Sequence, residues 1–299
     1  MPRLSLDAHA KINLTLEVLG KRADGYHGLR TIFQSLALHD TIEFADEAGP
    51  FRMACDDPAV PADARNLVWR AAVLVWQASG RAGEPEGARV RLRKRIPAQG
   101  GLGGGSADAA VAVIAFSRLW LPRAAPAAWG EIARQLGADV PFFLCGGTAL
   151  GVARGDEVVP MANLPARHVV LVFPPFGVST AEAYGWLDQD REAGTPPGTL
   201  PSGELPGPEL VLADGTAVRV RNDLEGPVVA RHPEIGSARD ALKDAGADAA
   251  AMSGSGSTVF GLFSEGERAG RAAAALAADG WRTLVSRTIA REEASRFLV

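Results

Sequence analysis

Five glycines occupy the six positions from Gly100 to Gly105, and Ser106 and an alanine-rich segment follow them directly. Glycine lets the backbone adopt positive φ and approach a ligand closely, and a helix beginning after such a loop offers unpaired N–H groups and the positive end of its dipole. This spacing predicts a phosphate-binding loop at the start of a helix over residues 106–119. Ser106 could cap that helix or contact a metal ion. The alternative is an ordinary glycine-rich helix start without a ligand.

The two better-known glycine motifs do not fit this loop. A Walker A loop has Lys and then Ser or Thr directly after its last glycine, whereas Ser106 and Ala107 stand here. The dinucleotide fingerprint has a glycine three positions after Gly103, and that position is Ser106. Both motifs are therefore excluded, and a redox enzyme is the weakest alternative function.

Two charged residues complete a possible phosphoryl-transfer site. Such a site needs an anion-binding loop, a cation near the transferred group, and a group that orients the acceptor hydroxyl. Lys11 lies within an apolar N-terminal segment, and Asp139 precedes the apolar residues 140–143. Burying either charge is costly unless it is paired, so the sequence predicts a Lys11–Asp139 pair. Considered alone, each residue is more often a surface charge.

The composition is typical of a globular enzyme. The chain has 299 residues, 47% hydrophobic and 22% charged, and this length favours two domains. We place the boundary near residues 162–167, giving domains 1–163 and 164–299. The net charge of −4 offers no general attraction to nucleic acid or to an anionic membrane.

Cysteine usage and apolar runs point to the cytoplasm. The two cysteines, Cys55 and Cys145, are far apart and lack metal-type spacing, which argues against a disulfide framework and a zinc site. The N-terminal residues lack the apolar core of a signal peptide, and no apolar run approaches about 18 residues. We therefore expect a cytoplasmic protein.

Periodicity predicts the elements that position these residues. Alternating residues favour strands over 4–10, 12–18, 29–38, 40–44 and 90–96, and helices are expected over 67–79, 106–119 and 129–136. Along the basic run over residues 89–95, strand alternation would place Arg89, Arg91, Arg93 and Arg95 on one face and Lys94 on the other with Val90 and Leu92. The proline- and glycine-rich residues 192–216 predict a surface insertion or lid.

Three segments resemble the signature motifs of the GHMP small-molecule kinases, in the family's order and over nearly the whole chain. They are residues 10–14 with 25–27, residues 97–110, and residues 252–257. The resemblance implies an α+β fold of two domains, with mixed or antiparallel sheets covered by helices and the active site in the cleft between the domains. It also implies transfer of the γ-phosphoryl group of ATP to a hydroxyl of a small molecule.

The same resemblance assigns roles around the acceptor. Asp139 would polarise or deprotonate the hydroxyl, Lys11 would keep Asp139 ionised and stabilise transferred charge, and Asn13 would position the acceptor. Residues 24–27 and 137–143 resemble the branch of the family whose substrate carries a cytidine diphosphate group. This implies a cytosine ring stacked between Tyr26 and Tyr184, with His27 reading its polar edge. Gly254 and Ser255 are also assigned to the substrate.

The nucleotide site that the resemblance implies consists of Asn66, Lys94, Pro97, Gln99, Gly100, Gly101, Leu102, Gly103, Gly104, Gly105 and Ser106. The chain departs from the family pattern at Gln99, where a small residue is usual, and at Ala107, where a second serine is common. Mg²⁺ would therefore be held largely by ATP oxygens and water, and no protein ligand is assigned to it.

The expected partner is one small molecule bearing cytidine diphosphate, with no nucleic acid or membrane, and the protein is expected to be a monomer or homodimer. Two alternatives remain open. Another GHMP kinase, of the mevalonate or homoserine type, is disfavoured by Tyr26 and His27. A non-catalytic nucleotide-binding module is disfavoured because both Lys11 and Asp139 are present.

Overall fold

The computed structural model describes residues 4–23, 25–121, 126–194 and 208–296. The strands in these ranges are β1 Leu4–Lys21, β2 His27–Pro50, β3 Arg52–Cys55, β4 Glu86–Arg93, β5 Thr148–Val152, β6 Glu157–Pro160, β7 His168–Phe173, β8 Glu209–Val211, β9 Ala217–Arg219, β10 Arg221–Asn222, β11 Ala249–Met252, β12 Val259–Phe263 and β13 Arg282–Arg287. The helices are α1 Leu67–Ala78, α2 Gly104–Trp120, α3 Pro126–Leu136, α4 Val140–Cys145, α5 Thr180–Glu192, α6 Glu225–Arg231, α7 Pro233–Asp244, α8 Gly266–Ala278 and α9 Arg291–Ala294.

Two main sheets organise the described residues. The first has the order β10-β1-β2-β4-β3, with β5 paired to β2 and β6 paired to β5. The second has the order β11-β12-β7-β13 and is antiparallel throughout. The first sheet is mixed, because β1 pairs parallel with β10 and β3 pairs parallel with β4. Helices cover both sheets, as predicted for an α+β fold with mixed and antiparallel sheets.

The long hairpin β1–β2 corrects the prediction of four short strands at the N-terminus. Its register runs from Leu4 opposite Phe44 to Lys21 opposite His27, with shifts between His9 and Lys11 and at two further points. A β-bulge bends a strand while the ladder continues beyond it. The apparent breaks in alternation are therefore irregularities within one strand, not strand ends.

Alternation along β1 places apolar residues on the core side of the strand and polar residues on the side of a cavity. Ala10, Ile12 and Leu14 are fully buried in the cluster that also contains the second sheet's Phe260 and Leu262. The intervening Lys11 and Asn13 point to the opposite face, where they line a cavity. One strand therefore contributes to the core between the sheets and presents two polar residues to the cavity.

Helix α2 is the central buried helix of the N-terminal half of the molecule. Its residues from Ala107 to Phe116 are buried, and the apolar ones among them pack in one cluster with α1 and β4. The helix begins at Gly104, not at Ser106, and ends one residue later than predicted. Strand β4 ends at Arg93, so the predicted strand over 90–96 is too long at its C-terminal end, and Lys94 lies in the connection to α2.

The predicted domain boundary between 163 and 164 falls between β6 and β7. The first sheet uses residues 4–160 and, in addition, β10 from the second half of the chain. Of the predicted insertion at 192–216, residues 195–207 lie outside the described residues, and β8 forms a small hairpin with β9. Among the helices described, none has the length and apolar character needed to cross a bilayer.

Candidate active site

A cavity of about 670 Å³ brings most of the predicted site together, a volume within the range of small-molecule sites. Its walls come from both halves of the chain. The predicted site residues that line it are Lys11, Asn13, Asn66, Lys94, Pro97, Gln99, Gly100, Gly101, Leu102, Gly103, Gly104, Gly105, Ser106, Asp139, Tyr184, Gly254 and Ser255. Tyr26 and His27 do not line it.

The start of α2 faces this cavity. Gly103 is the N-cap residue in the left-handed conformation, with φ of 71°, and its carbonyl accepts from the N–H of Ala107 at 2.9 Å. The amides of Gly104, Gly105 and Ser106 precede this first helical bond, so they have no acceptor within the helix. They supply a concave set of donors at the positive end of the helix dipole. Ser106 is not the cap, which corrects one of its two expected roles.

Glycine is required in this loop by close approach as well as by φ. A Cβ on Gly103 would lie 2.6 Å from the Phe143 ring, and one on Gly101, where φ is 72°, would lie 2.0 Å from the carbonyl oxygen of Ser253. The Ser253 hydroxyl donates to the Gly101 carbonyl at 3.0 Å, and the Lys11 N–H donates to that of Leu102 at 3.0 Å. The loop is therefore held between β1 and the turn after β11.

The predicted Lys11–Asp139 pair is present. Nζ of Lys11 lies 3.4 Å from Oδ2 of Asp139 and donates to Oδ1 of Asn13 at 2.6 Å. Lys11 is only 3% exposed, whereas the Asp139 side chain is 37% exposed. Asp139 precedes α4 at its N-cap position, but its side chain makes no capping hydrogen bond. The carboxylate is thus left available to a ligand, with a buried cation behind it.

Hydrogen bonds fix the orientation of Asn13. Its Nδ2 donates to Oγ1 of Thr31 at 2.7 Å, and that hydroxyl donates to the carbonyl of Thr15 at 2.6 Å. The amide oxygen of Asn13 therefore faces Lys11. The predicted Gly254 completes this corner, since a Cβ there would lie 3.3 Å from Nζ of Lys11.

Asn66 and Lys94, assigned to the nucleotide by resemblance, already have protein partners. Oδ1 of Asn66 caps α1 by accepting from the N–H of Val68 at 2.9 Å, and its Nδ2 donates to the carbonyl of Pro61 at 2.8 Å. Nζ of Lys94 donates to Asp40 and, at 2.8 Å, to Asp108. Both residues border the cavity, but direct contact of either side chain with a nucleotide stays a prediction.

Asp40 and Asp108, which sequence reasoning missed, form a buried cluster with Lys94 beneath the loop. Oδ1 of Asp40 accepts from the N–H groups of Arg95 at 2.5 Å and Ile96 at 2.8 Å, which fixes the backbone entering the loop. Burial raises the pKa of Asp108 to about 7, against the lowering effect of Lys94. Burial lowers the pKa of Lys94, but the two carboxylates outweigh it and raise that pKa above its usual value. A lone acid in an otherwise apolar helical run was the available signal for Asp108.

The predicted base-recognition residues are arranged differently from the expected sandwich. The ring that stacks on Tyr184 is that of His27, with centroids 4.8 Å apart and planes at 22°. Tyr26 is 59% exposed, and the Arg154 guanidinium lies 5.1 Å from its ring centroid. The structure thus joins His27 and Tyr184, and it places Tyr26 outside both that stack and the cavity.

Metal ligands are sparse. In the described ranges, no group of three or more His, Cys, Asp or Glu side chains could hold a metal ion. Ser106 lines the cavity, whereas Ala107 is buried and does not, so a hydroxyl at position 107 would point into the core of this chain. The departure from the family pattern at Ala107 therefore removes no ligand from the cavity wall.

Comparison with known proteins places this geometry in a family. Residues 66–147 match the family model described as GHMP kinases N terminal domain, and residues 214–281 match the one described as GHMP kinases C terminal. A protein of Pelotomaculum thermopropionicum, 4-diphosphocytidyl-2-C-methyl-D-erythritol kinase, is 43% identical over 94% of this chain and 96% of its own length. The protein of the same name from Moorella thermoacetica is 42% identical over 97% of this chain and 100% of its own length.

Solved structures agree. The crystal structure of a 4-(cytidine 5'-diphospho)-2C-methyl-D-erythritol kinase matches with a TM-score of 0.76 and 34% identity, covering 95% of this chain and 99% of that one. A homoserine kinase from Cytophaga hutchinsonii shares the fold, with a TM-score of 0.66 at 19% identity. These matches confirm the predictions of a two-domain α+β fold and of a small-molecule kinase. Since relatives align with it almost end to end and both domain models match in chain order, the chain belongs to the GHMP kinase family.

Proposed function

We propose that this chain transfers the γ-phosphoryl group of ATP to the 2-hydroxyl of 4-diphosphocytidyl-2-C-methyl-D-erythritol, giving the 2-phosphate and ADP in the non-mevalonate isoprenoid pathway. The observation that carries the proposal is the Lys11–Asp139 pair, which lines the same cavity as the helix start at Gly104. The names of the relatives supply the acceptor, because those proteins align with this chain over nearly its full length.

The residues divide the work of transfer. The amides at the start of α2 bind the phosphate groups of ATP through N–H donors and the helix dipole. Asp139 accepts the proton of the 2-hydroxyl while the oxygen of that hydroxyl bonds to the γ-phosphorus of ATP. The bond between the γ-phosphorus and the oxygen that bridges to the β-phosphate breaks, and ADP leaves. Lys11 stabilises negative charge first on Asp139 and then on the transferring group, and in a buried position this attraction is stronger than in water. Asn13 orients Lys11 and the acceptor.

Mg²⁺ neutralises phosphate charge in such reactions. The described residues fit an ion held mostly by ATP oxygens and water, since they offer the Ser106 hydroxyl in the first turn of α2 but no group of three or more His, Cys, Asp or Glu side chains. The cytidine group is assigned to Tyr26, His27 and Tyr184. The proposal implies a cytoplasmic enzyme that acts as a monomer or homodimer.

A coupled ADP-release assay across candidate acceptors tests this proposal. We expect turnover with 4-diphosphocytidyl-2-C-methyl-D-erythritol and none above background with mevalonate or homoserine. Faster turnover with either of the latter would replace the proposed acceptor and leave the family assignment intact. ATP hydrolysis that no acceptor accelerates would contradict the proposed reaction.

A further inference from the structure

Helix α5 holds the ring of His27 in two ways. Tyr184 and Asp188 lie four residues apart on α5, so their side chains share one face. Tyr184 stacks on the His27 ring, and Oδ1 of Asp188 lies 2.8 Å from Nε2 of that ring. The stack fixes the plane of the imidazole, and the hydrogen bond fixes its rotation within the plane.

Asp188 is held between His27 and a cation. Nζ of Lys21 lies 3.8 Å from Oδ2 of Asp188, and Lys21 is the residue of β1 directly opposite His27 on β2. A carboxylate between two positively polarised groups acts only as an acceptor. Nε2 of His27 must therefore carry the hydrogen in this contact.

The second ring nitrogen of His27 is left as a recognition group. In neutral imidazole, a hydrogen on Nε2 leaves a lone pair on Nδ1. Within the described part of the chain, the ring makes no hydrogen bond other than the one to Asp188. The His27 side chain is 10% exposed, and Nδ1 is not completely buried. A ligand that reaches Nδ1 of the neutral ring meets an acceptor.

We propose that Asp188 is a positioning residue that selects cytosine over uracil by fixing His27 as an acceptor at Nδ1. The inference rests on the proposed function, in which His27 reads the base. Cytosine presents an exocyclic amino donor at C4, where uracil presents a carbonyl acceptor. Uracil would need a hydrogen on Nδ1, and in neutral imidazole this would turn the lone pair of Nε2 toward the Asp188 carboxylate. That mismatch leaves polar groups unpaired, and one such loss changes affinity by about tenfold or more.

Competition by CMP and UMP against the cytidine-bearing acceptor tests this selection. The wild-type protein should bind CMP at least about tenfold more tightly than UMP. Asp188→Asn should lower this ratio several-fold, because an amide can flip to donate to Nε2 and thereby permit the other tautomer. Asp188→Leu should weaken the binding of CMP and bring the ratio of CMP to UMP affinity close to one. Binding of ATP should not change in either variant.

Asp190→Asn is the matched control. Asp190 lies on the same helix and loses the same charge, but it pairs with Arg231 at 2.9 Å, not with His27. Its CMP-to-UMP ratio should equal that of the wild-type protein. Imidazole ¹⁵N chemical shifts give a second readout, which should show Nδ1 unprotonated in the wild-type protein and a mixture of tautomers in Asp188→Asn.

The outcomes separate the two levels of the hypothesis. An unchanged ratio in both Asp188 variants, or a protonated Nδ1 in the wild-type protein, would refute the role of Asp188 and leave the kinase reaction standing. If the wild-type protein phosphorylates the acceptor but favours UMP, His27 acts as a donor and the inference is wrong. If neither nucleotide competes, cytidine recognition itself is refuted, together with this inference.

Discussion

The two ends of the proposed site are built from different materials. The phosphate end consists of backbone amides at the start of α2, enclosed by glycines whose Cβ atoms would strike neighbouring groups, with Lys11 buried behind it. The base end consists of side chains from β2, from α5 and from Tyr26 just before β2, and Tyr26 is 59% exposed. Backbone donors can bind the phosphates of ATP whichever acceptor is used, whereas a change of side chains at the base end can change the acceptor. The comparison therefore separates reaction class from substrate choice.

Replacing the carboxylate at the phosphate end should have the largest effect. Asp139→Asn removes the proton acceptor beside Lys11 but leaves the glycine loop, so turnover should fall by about 10²–10⁴-fold while ATP affinity persists. Steady-state kinetics and calorimetry measure the two quantities. Asp214→Asn, at an exposed turn, is the control and should keep wild-type turnover. Near-normal turnover in Asp139→Asn would remove Asp139 from the mechanism.

The loop itself is the next target. Gly103→Val introduces a β-branched side chain at a φ of 71°, with its Cβ placed 2.6 Å from Phe143. We expect ATP affinity to fall by about tenfold or more, since the left-handed conformation alone costs roughly 1–2 kcal/mol in an L-residue. Gly270→Val, where a Cβ meets nothing, is the control. A folded Gly103→Val protein with unchanged ATP affinity by calorimetry would reduce the loop to a structural role.

A change at the base end should affect KM for the acceptor but not KM for ATP. Tyr26→Ala removes a stacking surface, and base–aromatic stacking contributes about 1–3 kcal/mol, so KM for the cytidine-bearing acceptor should rise several-fold or more while KM for ATP stays constant. Tyr26→Phe keeps the ring and should behave as the wild-type protein. An equal rise in both KM values would place Tyr26 at the adenine or in a structural role, and the contrast between the two ends would disappear.

The smallest expected effect is on the pH dependence of folding stability, through Asp108, which is buried beneath the glycine loop. The folded-state pKa of Asp108 is raised to about 7 from 3.8, so the folded protein binds this proton more tightly than the unfolded chain between those pH values. The free energy of unfolding should therefore decrease through this group as pH rises from about 4 to about 7. Asp108→Asn cannot ionise and should remove that part of the decrease. Urea unfolding at pH 5 and pH 8 measures the free energy of unfolding of Asp108→Asn relative to the wild-type protein, and this difference should favour the variant more at pH 8. An equal difference at the two pH values would contradict the assignment.

The phosphate end could be predicted because its signals are local. The glycines from Gly100 to Gly105 lie close together in sequence, and the cost of burying Lys11 or Asp139 unpaired favoured the ion pair that the structure shows. The helix start was displaced by two residues, because Gly103 serves as cap through its backbone and needs no side-chain oxygen. Cap geometry of this kind has no sequence signal beyond glycine itself.

The remaining features depend on contacts between distant segments. Asp40 meets Lys94 across 54 residues, and His27 meets Asp188 across 161, so no spacing rule could join either pair. The breaks predicted in β1 and β2 were wrong because a bulge interrupts alternation without ending the ladder. Sequence assigned His27 and Tyr184 to one base by resemblance, but only the structure shows that the two rings contact each other.

The two-residue strand β10 links the halves of the molecule mechanically. It pairs with β1 at Thr15 and Leu16, and Nδ2 of Asn222 donates to the carbonyls of Met252 and Gly254 at 2.8 and 2.7 Å. The turn after β11, which contacts Lys11 at Gly254, is thereby connected through β10 to β1, the strand that contains Lys11. Wide separation of the two halves would break these hydrogen bonds. In native-state hydrogen exchange, the amides of β1 and β11 should accordingly open together, as one cooperative unit spanning both domains.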